Sequence, residues 1–407
     1  MSERVSCEME KANTGMFSET DNARSEVAEL QKQLNASDET RASRNGKLEA
    51  MRKIITATTQ GKDLSVVFAQ VMNNMQTTIL ELKKLVYLYM INYASEDPDV
   101  VVMCVNSFVK DATDPNPLIR ALALRTMGCV RVNRISEYLA DPLLICLDDE
   151  DPYVKKTASI CVAKLFSLNP ELVVDRGFVE KLYKHMNDSN PMVVTNALAA
   201  LSEMDSRSAA SNSKPLLQIS PTLMTKWLQS MDDFAEWGKI IVLDCISDSF
   251  RKGAQVSQQQ ALGMSERLTP LLNHSNSAVV MSSLNLLLNI FNFIGEVDQT
   301  AILKKIVSPL TTLLTSDTSV QYLALRSLQL IIHGVPRLKE LLESDIKIFF
   351  IHYYDPIFIK MEKLDLMMKL TNEDNYSRVM SELVEYCTEA DVEFVRKAVS
   401  GERSDFE

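Results

Sequence analysis

The stretch Asp111–Leu165 constrains the fold most, because it writes one unit twice: DATDPNPLIRALALRTMGCV and then, 35 residues on, DDEDPYVKKTASICVAKLF. Each copy opens on an Asp-Pro turn, Asp114-Pro115-Asn116-Pro117 or Asp151-Pro152. Proline at the first helical position sacrifices no hydrogen bond, since that amide has no intrahelical acceptor, and its fixed φ presets the helix start. The acidic side chains beside it suit the positive end of the helix. In the second copy Val154, Ala158, Cys161, Val162 and Leu165 recur at i, i+4, i+7, i+8 and i+11, which is one face of an α-helix. Ile119, Ala123, Thr126, Met127 and Val130 hold the same places in the first. Small residues at the fourth position admit a close neighbour, so the helix pairs are suited to stacking side by side.

With Ile119 and Val154 as the key position, the same slot falls on Leu82, Val193, Val279, Val320 and Ile359, and the intervals run 37, 35, 39, 86, 41 and 39 residues. The 86 spans two units, so a missing member is expected near 236, within AEWGKIIVLDCISD. A period of about 35–45 residues with two helices apiece lies in the HEAT/armadillo range. The expected fold is all-α: a HEAT/armadillo-type α-solenoid, a right-handed superhelix of helix pairs, over residues 25–399. Residues 1–24, polar and poor in aliphatics, are expected to be a disordered tail, and 400–407 a polar end. Helices are expected from Ser25 and from about Lys47 to a stop at Gly61. Asp205–Ser220 and Arg251–Gln260, rich in Ser, Gln and small residues, read as surface loops within the array rather than domain boundaries, because the register continues across them. A final helix over Ala390–Val399 has no second helix to pair with. Left bare, Phe394, Val395 and Val399 would each forfeit about 1.5–3 kcal/mol of burial, so the expectation is a partner over this end or a shortened form of a longer array.

Composition narrows the chemistry. Only 11 glycines in 407 residues disfavour a parallel-sheet enzyme with Gly-rich ligand loops, and a net charge of -11 disfavours nucleic acid. Between Arg120 and Lys164 seven basic residues face six acidic ones, which describes a solvated helical face. Seven scattered cysteines without a CxxC read as small buried side chains in a reducing compartment. The N-terminus has no apolar core like that of a signal peptide and no stretch has the length of a membrane span, so a cytosolic protein is expected. No P-loop, GxGxxG, HExxH or GxSxG occurs. His185, His274, His333 and His352 lie near helix ends or turns, without an i, i+4 partner or nearby cysteine, so no metal, no cofactor and no enzymatic activity are expected. Glu81, Lys83 and Lys84 read as solvent-facing. Leu144-Ile145-Cys146-Leu147-Asp148 fits the leucine-rich, acid-terminated peptide that binds clathrin as an extended segment, but it lies between Asp141-Pro142 and Asp151-Pro152 turns, where a helix core needs its leucines.

Several runs carry more than a fold: LELKKLVYLYMINYA (80–94), FVKDATDPNPLIRALALRTMGCVRV (108–132), EYLADPLL (137–144), DEDPYVKKTA (149–158), NDSNPMVVTNALAALSEM (187–204), EWGKIIVLDC (236–245), DPIFIKMEKLDLMMKL (355–370) and EADVEFVRKAV (389–399). Together they resemble the N-terminal trunk of the beta-adaptins, the large beta subunits of heterotetrameric clathrin adaptor complexes. The resemblance covers about residues 25–399. It implies a non-enzymatic scaffold in vesicle-mediated transport, pairing with another large adaptin subunit and with medium and small chains, and peripheral on coated vesicles at Golgi, endosome or plasma membrane. It also implies docking of an Arf-family GTPase on the helix after LVYLYMINYA, at Val102 and Val105; the same valines could equally pack their own repeat. Where the family carries a dense lysine run for phosphoinositide headgroups, this chain has only Arg44, Lys47, Arg52 and Lys53, which implies a weaker hold on an anionic membrane surface. The aromatic pair often found near the family's N-terminus is not recognisable. The rest of the trunk, the hinge with its clathrin-binding peptide and the appendage are missing from the sequence, so this chain alone is expected not to recruit clathrin. The alternative outside vesicle coats is an α-solenoid scaffold of the transport-receptor or phosphatase type.

Overall fold

The turns that open the inner helices share one hydrogen-bond pattern. Asp114 Oδ1 accepts from the Asn116 amide at 2.8 Å, and Asn116 Oδ1 accepts from the Leu118 amide at 3.0 Å. Asp149 and Asp151 repeat the pair at 2.9 and 2.7 Å, and Asp188 and Asn190 at 2.8 and 2.9 Å. At the turn before Ser277, His274 Nδ1 takes the place of the leading acid, 3.0 Å from the Asn276 amide, and Asn276 caps Ala278 at 2.9 Å. These acceptors satisfy amides for which the helix has no carbonyl, so a short polar motif fixes each helix start. Pro117, Pro152 and Pro191 then begin their helices.

A computed structural model describes residues 25–404 apart from 38–39, 95–97, 131–132, 211–214, 335, 344 and 390, with the side chains at 98–103, 133–135, 210, 333–334, 336 and 400–404 also outside the description. The expected tail at 1–24 and the side chains of Val102 and His333 therefore lie outside the described residues. No strand occurs among the described residues. The chain divides into two compact units, Met1–Leu216 and Leu217–Glu407. In the first, inner helices Leu80–Tyr93, Pro117–Cys129, Pro152–Leu168 and Pro191–Ala210 stack in sequence order, with Pro98–Asp111, Asn133–Leu147 and Phe178–His185 among the outer helices. In the second, Glu236–Arg251, Ser277–Ile290, Thr318–Gly334 and Ile357–Lys369 form the inner series. Each unit is thus the solenoid arrangement, in which helix pairs are covered by their neighbours.

The key positions account for the stacking. Leu82, Val154, Val193, Val279 and Ile359 are fully buried and Ile119 nearly so, whereas Val320 is half-buried. Burying one such aliphatic side chain contributes about 1.5–3 kcal/mol, so within each unit the slot supplies core along the stack of inner helices. The missing member is Gly238: it is buried, and Val242, Cys245 and Ile246 follow at i+4, i+7 and i+8, all buried. Close approach also requires Gly128, where a Cβ would stand 3.2 Å from Cys161 Sγ.

Several expectations need correction. Asp205–Ala210 is helix rather than loop, because Pro191–Ala210 continues in register and buries Asp205 and Ser208; Asp205 Oδ1 accepts from the Leu216 amide at 2.6 Å. The division between the units falls within that same interruption, after Leu216. The Arg251–Gln260 loop shortens at both ends, since Arg251 closes one helix and Ser257 with Gln260 forms the capping box of the next. Pro142 is not in a turn but inside Asn133–Leu147. The last helix runs over Val392–Ser404, and Phe394 is fully buried within the chain, its ring 5.8 Å from that of Tyr386. Gly61 does end its helix, with φ at +84°. Of the six cysteines described, none is in a disulfide; Cys104, Cys146, Cys161 and Cys245 are buried, but Cys129 and Cys387 are only half-buried.

His185 joins two outer elements to an inner one. Its Nε2 lies 2.8 Å from the Leu147 carbonyl and its Nδ1 3.1 Å from Ser159 Oγ, so the neutral ring donates to the first and accepts from the second. Burial holds the ring's pKa below its ordinary value. A depressed pKa means that this contribution to stability is present above the unfolded value and lost as pH falls below about 6.5. Thermal melts from pH 7.5 to 5 are therefore expected to show a drop that is smaller in His185→Gln; an unchanged drop in that variant would exclude the assignment.

Candidate functional site

The helix Pro98–Asp111, which carries Val102 and Val105, is fixed at its C-terminal end by a buried polar cluster. Lys83 Nζ donates to Asp111 Oδ2 at 2.6 Å, and the Tyr87 hydroxyl donates to the same oxygen. Lys83 is 3% exposed and Asp111 8%, which corrects the reading of Lys83 as solvent-facing; Glu81 and Lys84 are exposed as expected. Burial first, then the bond to Asp111, pushes the Tyr87 phenol well above its usual range. The Tyr87 ring also meets Phe108 edge-on at 5.0 Å. Val105 is 4% exposed and packs its own unit; among the described side chains of this helix Asn106, Val109 and Lys110 are exposed.

Lys83 belongs to a series. The residue after the key position is basic at Lys83, Arg120, Lys155 and Lys360, and each reaches an acid in or near the turn that opens the next inner helix: Asp111, Asp149 (2.8 Å), Asp188 (3.6 Å) and Glu389 (2.9 Å). Arg120 binds Asp149 through two nitrogens, both at 2.8 Å. Burial raises the Asp149 carboxyl, but the Arg120 bond and the Asp151 amide outweigh it and hold it below the usual carboxylate range. These staples are not among the features anticipated from the sequence. A signal for them exists, as a base directly after the apolar key residue with an acid about one repeat later.

The four basic candidates sit on Arg41–Thr59, which Thr40 caps. Arg44, Arg52 and Lys53 are exposed, whereas Lys47 is 6% exposed and lies with Ala50, Met51 and Ile54 on the buried face. Arg52 is 3.6 Å from Glu81, which offsets part of its charge. Of the four candidates the structure thus brings three to the surface of this helix, where Arg41 is exposed as well. Leu144–Leu147 is the end of the helix Asn133–Leu147, with Cys146 and Leu147 fully buried, and Asp148, in the turn after it, is bonded to Lys181 at 2.6 Å. The clathrin-binding peptide acts as an extended segment, so this helical segment serves the core instead. Among the described residues no group of His, Cys, Asp and Glu is arranged to hold a metal ion, and no helix is long and apolar enough to cross a membrane.

Residues 22–401 match the family model described as adaptin N terminal region. The chain belongs to the adaptin N-terminal family. Its curated relatives include AP-1 complex subunit beta-1 of Mus musculus and of Homo sapiens, each 48% identical over 382 residues, covering 93% of this adaptin and 39% of the relative. AP-2 complex subunit beta of Schizosaccharomyces pombe is 35% identical over 368 residues, covering 89% and 52%. The adaptin therefore spans about two-fifths of the length of the mouse and human relatives. A homology model of the full-length AP-3 complex in an intermediate open conformation contains a chain of similar fold, with a TM-score of 0.64 at 19% identity, covering 86% of this adaptin and 58% of that chain.

Proposed function

We propose that this adaptin is a non-enzymatic scaffold subunit of a clathrin-associated adaptor complex in vesicle-mediated protein transport, pairing with another large subunit and with medium and small chains. The observation that carries the reading is the likeness to AP-1 beta subunits along nearly the whole chain. The architecture supports it, because stacked repeats expose long surfaces for partners while their polar clusters are taken up by repeat-to-repeat staples rather than gathered in a reactive pocket. Co-purification of the chain with the partner large subunit and medium chain under mild salt is the expected result. Recovery of neither would overturn the reading, and recovery of a phosphatase or transport cargo instead would favour a scaffold outside vesicle coats.

Within that reading, an Arf-family GTPase docks on the helix Pro98–Asp111, and the complex touches anionic membrane through Arg44, Arg52 and Lys53, peripheral to coated vesicles. Val105 is too buried to be changed without loosening the repeat, so Val102→Asp is the test. It is expected to abolish GTP-dependent pull-down of the GTPase with the melting curve retained; undiminished binding would remove the docking assignment.

A further inference from the structure

The near balance of charge between Arg120 and Lys164 does not survive folding. Of the seven basic residues in that stretch, Arg120 and Lys155 are stapled to Asp149 and Asp188, and the side chains of Arg131 and Arg134 lie outside the described residues. Arg125, Lys156 and Lys164 remain, and none of the three has an ion pair among the described residues. The acids are engaged elsewhere. Asp141 binds Arg176 at 2.9 Å, Asp148 binds Lys181 at 2.6 Å, Asp151 caps its own helix, and Glu203 of the next inner helix binds Arg207 at 2.9 Å. Glu137 and Glu150 lie on an outer helix and in a turn.

The three cations stand together on two neighbouring inner helices. Lys156, Ile160 and Lys164 follow at i, i+4 and i+8 on Pro152–Leu168, so the two lysines are about 12 Å apart with half-buried Ile160 between them. On Pro117–Cys129, Arg125 is exposed and Cys129 follows it by one turn on the same face. Lys164 crosses to that helix: its Cδ lies 3.5 Å from where a Cβ of Gly128 would stand, and its Nζ 3.1 Å from Cys129 Sγ. The ammonium of Lys164 and the guanidinium of Arg125 therefore share one turn of surface. Burial raises the pKa of the Cys161 thiol, and both cations lie near enough to oppose that rise. A thiol is a weak acceptor, so it leaves the Lys164 ammonium without a compensating anion. Lys156 rests on the Tyr153 ring, 4.5 Å from its centre, which neutralises it no better.

This arrangement selects for phosphate. Arginine offers a planar fork that holds a phosphate through two parallel N–H bonds, and lysine adds a point charge beside it. A phosphate monoester carries about 1.5–2 negative charges, more than a carboxylate can bring to the same space. A second phosphate on the same molecule reaches Lys156.

We propose that Arg125, Lys156 and Lys164 form a binding site for a small polyphosphorylated molecule, one phosphate clamped by Arg125 and Lys164 and another met by Lys156. The site does not depend on the scaffold reading. The probe is myo-inositol hexakisphosphate, titrated calorimetrically into the full chain at physiological ionic strength. Saturable binding is expected, and Arg125→Gln and Lys164→Met are each expected to weaken it at least about tenfold, with the melting curve unchanged because neither cation holds an acid in the fold. The charge-matched control is Lys304→Gln with Lys305→Gln, two exposed lysines of the second unit; it is expected to leave the affinity as it is. Sedimentation with vesicles containing phosphatidylinositol bisphosphate separates the sources. Pelleting that Arg125→Gln and Lys164→Met abolish identifies a lipid headgroup, and binding of the soluble probe without such pelleting identifies a free inositol phosphate. Absence of saturable binding, equal weakening by the control, or capture of a doubly phosphorylated peptide but not of the inositol phosphate overturns the proposal.

Discussion

Lys363→Met is expected to destabilise the second unit by about 3–5 kcal/mol, because it leaves a buried carboxylate without its cation. Lys363 is 2% exposed and Asp355 9%, with Nζ 2.7 Å from Asp355 Oδ2. The same oxygen accepts from the His352 amide at 3.0 Å, and Nζ also reaches the Phe350 carbonyl at 3.5 Å. One pair thus holds the loop before Ile357 against the inner helix that follows it. A loss of this size corresponds to a fall in melting temperature on the order of 10 °C for a unit of this length. The expected asymmetry is the informative part. Asp355→Leu combined with Lys363→Met should recover most of the loss, since an apolar replacement of both partners removes the unmet desolvation. A single-variant loss below about 1 kcal/mol would mean that water reaches the pair.

The register was legible in the sequence because it is written in apolar spacing, which burial enforces directly. Leu82, Val154, Val193, Val279 and Ile359 had to be apolar wherever the helices stacked, and they are fully buried. The Asp-Pro turns were legible for the same reason, as proline and its acidic neighbour satisfy a local geometry. What escaped was non-local. Lys83 looks like one of three surface charges until Asp111, 28 residues away, is brought beside it. Lys47 is likewise a basic residue among basic residues until the helix turns it inward with Met51 and Ile54. The run Asp205–Ala210 looks like a linker because Ser, Arg and Ala carry no periodicity, although a helix already under way accepts them at little cost. Gly238 was missed as the absent key residue because a slot filled by hydrogen gives no apolar signal, while the residues one, two and three turns on do. The candidate surfaces were less legible still. Docking sites consist of what the core leaves uncovered, and the resemblance named Val105, which the core has taken.

Asp111→Ala is expected to have the second large effect, and one that reaches the proposed GTPase surface. Two donors converge on Asp111 Oδ2, the Lys83 ammonium and the Tyr87 hydroxyl, so removing the carboxylate strands a buried charge and a buried hydroxyl at once. A loss of about 3–5 kcal/mol follows from the charge alone. Because Asp111 is the last residue of Pro98–Asp111, the damage should centre on that helix, with its amides exchanging hydrogen faster than those of Pro152–Leu168, whose own staple, Lys155 to Asp188, is intact. The triple replacement Lys83→Met, Tyr87→Phe, Asp111→Leu keeps approximate volume and removes every unmet polar group, so it should restore protection in 98–111. Restored protection together with restored GTP-dependent binding would show that the cluster serves to hold the helix, and that the docking surface needs the helix rather than the charges. If exchange in 98–111 stays slow in Asp111→Ala, the cluster is not what holds the helix in place.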